Sequence, residues 1–181
     1  AARAIAQGIS HEAPLDITLR PDATAPEGGV ELPNGSIRLP AGTRVTELPG
    51  YEEGAFWVQD AAATLPARLL AAKPGERVAD LCAAPGGKTA QLAATGANVT
   101  AVEQNATRLL RLQENMARLA YPVQIVQDDA ATWKPDALFD AILLDAPCSA
   151  TGTARRHPDV LWVKRPRDLN ALTAGQDRLL A

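Results

Sequence analysis

The chain has 181 residues, 46% hydrophobic and 22% charged, with a net charge of -3. That length fits one good core with at most an appended piece, and no apolar run approaches the length needed to span a bilayer, which argues against a helical membrane protein. The N-terminus lacks the layout of a signal peptide, and Cys82 and Cys148 form no framework of paired spacings, so a soluble protein in a reducing, cytoplasmic setting is expected.

In chain order, the first fifty residues hold 12 of the 27 Pro and Gly, with short apolar runs such as "LDITL" and "SIRLP" between turn signals. They read as a short helix followed by small strands, the α+β remnant of an N-terminal subdomain over residues 1–55. From about Asp60 the texture changes. "DAAATLPARLLAA" reads as a helix with Asp60 as its N-cap, "RVADLC" as a buried strand, "GGKTAQLAAT" as a helix and "NVTAVE" as a second strand. In "NATRLLRLQENMARL" the residues Leu109, Leu112, Met116 and Leu119 recur at helical spacing. "VQIVQ" and "FDAILLDAP" supply a third and a fourth strand, and a last helical pattern starts from Asp168 as a candidate N-cap.

Strands alternating with helices through short loops imply a parallel sheet, so residues 56–181 are expected to form an α/β, doubly wound, Rossmann-like domain. With no initiating Met and no stop signal after the last helix, the chain reads as part of a longer protein whose domain is truncated after the fourth strand. Such sheets bind ligands at the carboxyl ends of their strands, near the point where strand order reverses. The windows to watch are 82–88, 103, 128–129 and 145–149.

"VADLCAAPGGKTAQL" ends like a phosphate loop, with Gly87, Lys88 and Thr89, but Cys82 stands where that loop requires Gly. Pro85 also removes a backbone donor that would face a phosphate. A nucleoside triphosphatase is therefore the weaker alternative. What remains is a paired-glycine bend, Gly86 and Gly87, at the N-terminus of a helix, where backbone can approach a ligand closely. Glu103 ends the second strand, where an acid can take the two hydroxyls of a ribose. A nucleoside without a pyrophosphate fits, and S-adenosylmethionine has that makeup, with a sulfonium that suits an acidic surround. Read alone, Glu103 is equally an exposed strand end.

Charge is unevenly placed. From Thr151 onward Arg155, Arg156, Lys164, Arg165, Arg167 and Arg178 face only Asp159, Asp168 and Asp177, a local +3, which leaves -6 for residues 1–150. A polyanion should meet the C-terminal end.

"DLCAAPGGKT", "AVEQNATRLLRLQENMARL" and "ILLDAPCSATGTARRHPDV" together resemble the Sun/Fmu branch of the Sun/Nop-type RNA cytosine-5 methyltransferases, bacterial enzymes that modify small-subunit ribosomal RNA. The resemblance implies S-adenosyl-L-methionine as cofactor, ribosomal RNA as partner, no metal and a monomer. It places Cys82, Ala83, Ala84, Pro85, Gly86, Gly87 and Lys88 in the cofactor loop, Glu103 on the ribose, Asp129 on the adenine and Arg108 at the cofactor's border. Asp145 would lie between methyl donor and base, as both a cofactor-binding and a catalytic residue, and Cys148 would be the first of two active-site cysteines. The family's nucleophilic cysteine, in a later segment, has no counterpart in this sequence, so the chain by itself is expected to be inactive, the alternative being a fragment that binds cofactor or RNA without catalysis.

Carbon 5 of cytosine is a poor nucleophile, so methylation there requires a transient thiolate bond at carbon 6. A carboxyl on the Watson–Crick edge can share a proton with nitrogen 3 as charge builds, the role expected of Asp145. Cys148 is open to three readings: a helper in product release, as the resemblance implies, the nucleophile itself, as in DNA cytosine methyltransferases, or a small packing residue. Arg155, Arg156 and His157 are expected to hold RNA phosphates around an unstacked base. Cys82 is expected to be a core thiol, Trp57, Gln59 and Asp60 to pack and cap, and Arg108, Arg111, Asn115 and Arg118 to form a mostly solvated stripe.

Overall fold

The computed structural model describes residues 3, 7, 8 and 10–181. The short helix expected at the N-terminus lies largely outside the described residues.

Four short strands, β1 (Leu15–Leu19), β2 (Val30–Glu31), β3 (Ile37–Leu39) and β4 (Phe56–Val58), form an antiparallel sheet in the order β2-β3-β1-β4. Ile17, Ile37, Leu39 and Phe56 fill its core. β4 pairs residue for residue with β1, Ile17 opposite Val58 and Leu19 opposite Phe56. The first unit therefore runs to Val58, past the boundary expected at residue 55, because Phe56 is needed to close that core.

The second sheet is parallel, as the alternating pattern predicts. It contains β5 (Arg77–Leu81), β6 (Asn98–Val102), β7 (Val123–Val126) and β8 (Ala141–Leu144) in the order β7-β6-β5-β8. β6 and β7 extend one side of β5 and β8 starts the other, so strand order reverses between β5 and β8, where Rossmann-like sheets bind ligands. The helices are α1 (Leu65–Leu70), α2 (Gly87–Ala94), α3 (Ala106–Leu119), α4 (Val160–Val163) and α5 (Pro166–Leu180). Among the described residues no helix is long and apolar enough to cross a membrane.

α3 follows its sequence closely. Asn105 caps it by accepting from Arg108 N, and Leu109, Leu112, Met116 and Leu119 are all buried against the sheet. Truncating Leu112, which is fully buried, to Ala would cost about 3 kcal/mol through lost transfer energy and a cavity.

Two helices start differently from expectation. Asp60 does cap, its Oδ1 accepting from Ala62 N at 2.9 Å, but the first turn, Ala61–Thr64, is 3-10, and α1 begins only at Leu65 with a proline in its first turn. A proline lacks the N–H that an interior position must donate, so the helix restarts around it. The last helix begins at Pro166 rather than after Asp168. Asp168 instead sits inside the first turn, where its Oδ2 accepts from Arg165 N at 2.9 Å.

Candidate functional site

β5 runs out at Leu81 into Cys82, which takes a left-handed φ of 63°, and the loop then reaches Gly86 at φ 104°. Gly86 is obligatory on two counts. Its φ suits only glycine, and a Cβ there would come within 2.8 Å of Leu112 Cδ1 and 3.0 Å of Met116 Cε on α3. The absent side chain at Gly86 thus lets the loop lie against α3, whereas the sequence alone suggests close approach of a ligand. A Cβ at Gly87 would meet only Gln59, at ordinary contact distance.

Helix α3 pins this loop in place. Arg108 donates to Ala84 O, and Asn115 Nδ2 donates to Pro85 O at 2.8 Å. Further along, Arg118 Nη1 donates to Tyr51 O at 2.7 Å and its guanidinium lies over the Tyr51 ring. The stripe expected to be solvated is therefore largely engaged: of its four residues Arg111 is left on the exposed face.

Glu103 is not an exposed strand end. It is 3% exposed, its Oε2 accepts from Ala84 N at 3.3 Å and lies 3.3 Å from Arg108 Nη1, and its Oε1 accepts from Asn105 N at 2.9 Å. Backbone amides and a guanidinium thus fix the orientation of this buried carboxylate.

Two hollows open at the strand tips. The larger, about 300 Å³, is bounded by Cys82, Glu103, Asn105, Arg108, Asp128 and Asp129 on one side and by α5 on the other. Asp129 Oδ1 accepts from Ala131 N at 3.1 Å and Oδ2 from Arg178 Nη1 at 2.8 Å, which together hold its carboxyl below its ordinary range. The smaller, about 180 Å³, is bounded by Asp80, Cys82, Ala83, Ala84, Pro85, Gly87, Lys88 and Asp145, with Gln59 and Asp60. Lys88 Nζ lies 2.6 Å from Asp145 Oδ2. The three acids assigned to the cofactor are thus divided, Glu103 and Asp129 in one hollow and Asp145 in the other. Cys82 borders both, half-buried and not a core thiol, and its pKa is pushed up by burial and by the Glu103 charge.

Asp80, the last residue of β5's buried run, was given no role from sequence. It is 1% exposed, its Oδ2 accepts from Thr89 Oγ1 at 2.6 Å, and its Oδ1 has no hydrogen-bond partner. Burial pushes its pKa up to about 7 against the opposing pull of the Thr89 hydrogen bond and the Lys88 charge. α5, expected as a helix, is the other part of the site that had no role assigned from sequence. Leu172, Gly175, Gln176 and Leu179 wall the larger hollow, and Gln176 Nε2 donates to Pro147 O at 2.8 Å. The available signal was a Gly in mid-helix, which is costly unless something must approach it.

Cys148 is exposed, which removes the packing reading and leaves the two chemical ones. His157 is exposed as well. Arg155 and Arg156 are not free for phosphates: they face Asp16 and Asp60, so an RNA contact through either would have to compete with a carboxylate. Trp57 is packed and donates from Nε1 to Gln59 Oε1 at 2.8 Å, and Gln59 Nε2 donates to Gln91 Oε1 at 2.6 Å, while Gln59 also borders the smaller hollow. Among the described residues no group of three or more His, Cys, Asp or Glu is placed to hold a metal ion.

Comparison with known proteins bears on this geometry. Residues 67–181 match the family model described as 16S rRNA methyltransferase RsmB/F. The chain is 47% identical over 150 residues to the ribosomal RNA small subunit methyltransferase B of Erwinia tasmaniensis, covering 80% of this chain and 35% of that protein. It thus spans about a third of the length of such relatives. Among solved structures, a methyltransferase homolog from Pyrococcus horikoshii superposes with a TM-score of 0.77 at 26% identity, over 97% of this chain and 61% of the other. NSun6 from Pyrococcus horikoshii, solved with SFG, superposes with a TM-score of 0.68 at 33% identity, over 76% of this chain and 36% of the other.

Proposed function

We propose, for a chain that belongs to the RsmB/F family of 16S rRNA methyltransferases, that it is the S-adenosyl-L-methionine-binding part of a cytoplasmic enzyme that methylates carbon 5 of a cytosine in small-subunit ribosomal RNA. The observation that carries the reading is Glu103: a fully buried carboxylate, held by Ala84 N, Asn105 N and Arg108, at the edge of a hollow of about 300 Å³ that also exposes Asp129. That volume accommodates a nucleoside. The acids around it favour a ligand whose net charge is not strongly negative, and Lys88, the cation a triphosphate would need, is taken by Asp145.

When bound, the cofactor supplies an electrophilic methyl group on a sulfonium. The residues of this chain do the rest of the positioning. Glu103 would accept from the two ribose hydroxyls, and Asp129 from the adenine amino group. Lys88 holds Asp145, whose side chain is about half exposed, at the tip of β8 toward the incoming base. Asp145 shares a proton with nitrogen 3 of the cytosine. Cys148, exposed three residues on, acts in product release. His157, with Lys164, Arg165 and Arg167, offers an exposed basic edge to RNA phosphates.

Isothermal titration of the chain with S-adenosylhomocysteine and, separately, with ATP tests the reading. S-adenosylhomocysteine is expected to bind at one site and ATP to give no heat. Binding of ATP without S-adenosylhomocysteine would overturn it.

A further inference from the structure

We propose that Asp16 and Asp60 are positioning residues, which hold the loop carrying Cys148 over the strand tips by capturing Arg155 and Arg156. The consequence for methyl transfer rests on the functional reading above, whereas the capture itself does not.

Asp16 is the second residue of β1 and is 0% exposed. Charge in such a place must be matched or it destabilises the fold. Arg38, its cross-strand partner, gives a bidentate pair, Nε to Oδ1 at 2.7 Å and Nη2 to Oδ2 at 2.9 Å, and Ala61 N donates to Oδ2 at 3.2 Å. That would be sufficient. Yet two further guanidiniums arrive from a segment 140 residues away: Arg155 Nη2 lies 3.6 Å and Arg156 Nη2 3.5 Å from the same Oδ2. Asp60, at the start of the turn leading to α1, makes a close pair with Arg155 and stands 3.4 Å from Arg156 Nη2.

Both aspartates sit in or beside the N-terminal unit, and both arginines follow the Asp145–Cys148 segment within ten residues. Their intervening chain is held mostly by its own local bonds, such as Thr153 N to Ala150 O and Arg156 N to Thr153 O, in a 3-10 turn at Thr151–Thr153. Local bonds shape a loop but do not place it. The placement comes from the ion cluster, together with Gln176 on Pro147 O and the buried Val160. Arg156 fits a placing role better than a phosphate-binding one. Its Nε and Nη2 are inaccessible to solvent and make no hydrogen bond, so its charge is balanced by proximity to the two carboxylates. The antiparallel sheet, which contributes nothing to the nucleoside hollow, thereby becomes part of the catalytic apparatus.

Hydrogen exchange read by mass spectrometry on the 181-residue chain tests this. Asp16→Asn, and separately the pair Arg155→Ala with Arg156→Ala, should speed exchange of the amides from Thr153 to His157 by about tenfold and leave β5 and β6 unchanged. Alkylation of Cys148 by iodoacetamide should change in the same variants. The charge swap Asp60→Arg with Arg155→Asp should restore most of the protection that Arg155→Asp alone removes. Unchanged loop exchange, or acceleration of β5 and β6 by the same factor, would overturn the proposal, as would a swap that rescues nothing. So would loss of RNA binding in the double variant with loop exchange unaltered. Cofactor titration of the same variants reports on the methyl-donor site separately, so failure of that reading is distinguishable.

Discussion

The two hollows that meet at Cys82 are built on opposite terms. Around the larger, each carboxylate is answered by donors of the chain: Glu103 by two backbone amides and Arg108, Asp129 by Ala131 N and Arg178. Around the smaller, Asp60 at the rim is paired with Arg155 and Arg156, but Asp80 is buried with one oxygen unanswered, and Asp145 leans on Lys88 alone from a half-exposed position. A hollow whose polar groups are already oriented binds a ligand without reorganising, while unsatisfied or lightly held acids are where a proton can be kept or moved. On this account the first holds the nucleoside and the second faces the chemistry.

Asp80 gives the contrast its largest predicted effect. Its pKa is raised from 3.8 to about 7, so the native state keeps a proton that the unfolded chain has released. The contribution to stability is fully present below about pH 4 and is lost as pH rises through about 7. Between about pH 5 and pH 8 the loss amounts to about 3 kcal/mol. Asp80→Asn keeps an acceptor for Thr89 and should remove that decline, which urea unfolding at the two pH values would measure.

The larger hollow is sharpened from its α5 wall. Gly175 lines the cavity and a Cβ there meets no neighbour within 4 Å, so Gly175→Leu starts without a backbone-level clash and occupies space the ligand would need. Binding of S-adenosylhomocysteine should weaken by roughly a hundredfold with an unchanged or higher melting temperature, since Leu also favours helix. Glu103→Gln comes next. It retains one acceptor but not the charge, and the dissociation constant should rise about tenfold, or about 1.4 kcal/mol. Asp145→Asn should have the smallest effect, within about threefold, because its hollow is not the one that grips the nucleoside. Equal losses at Glu103 and Asp145 would erase the distinction between the two hollows.

Much of this was legible in the sequence because the parallel half obeys local rules. "RVADL" and "NVTAV" are apolar runs of strand length, Leu109, Leu112, Met116 and Leu119 keep a helical stripe, and Glu103 falls at a strand end where the fold places ligands. The antiparallel half was less legible: its strands are two to five residues long, and β4 could not be assigned to it without knowing that Phe56 closes its core. Contacts across long separations left no pattern to read. Arg155 and Arg156 looked like a basic surface because Asp16 and Asp60 lie 95 or more residues upstream. The stripe Arg108, Asn115, Arg118 looked solvated because its acceptors are backbone carbonyls, which a sequence does not display. Gly86 was recognised for its loop but for a different reason than the one that makes it indispensable, the closeness of α3.

A crystal structure of the chain with S-adenosylhomocysteine tests the central claim most directly. The account predicts both ribose hydroxyls within hydrogen-bond distance of Glu103, the adenine between Asp129 and Leu172, and the amino-acid end directed past Cys82 toward Lys88. A nucleoside seated elsewhere on the molecule, or one that leaves Glu103 without a contact, would contradict it.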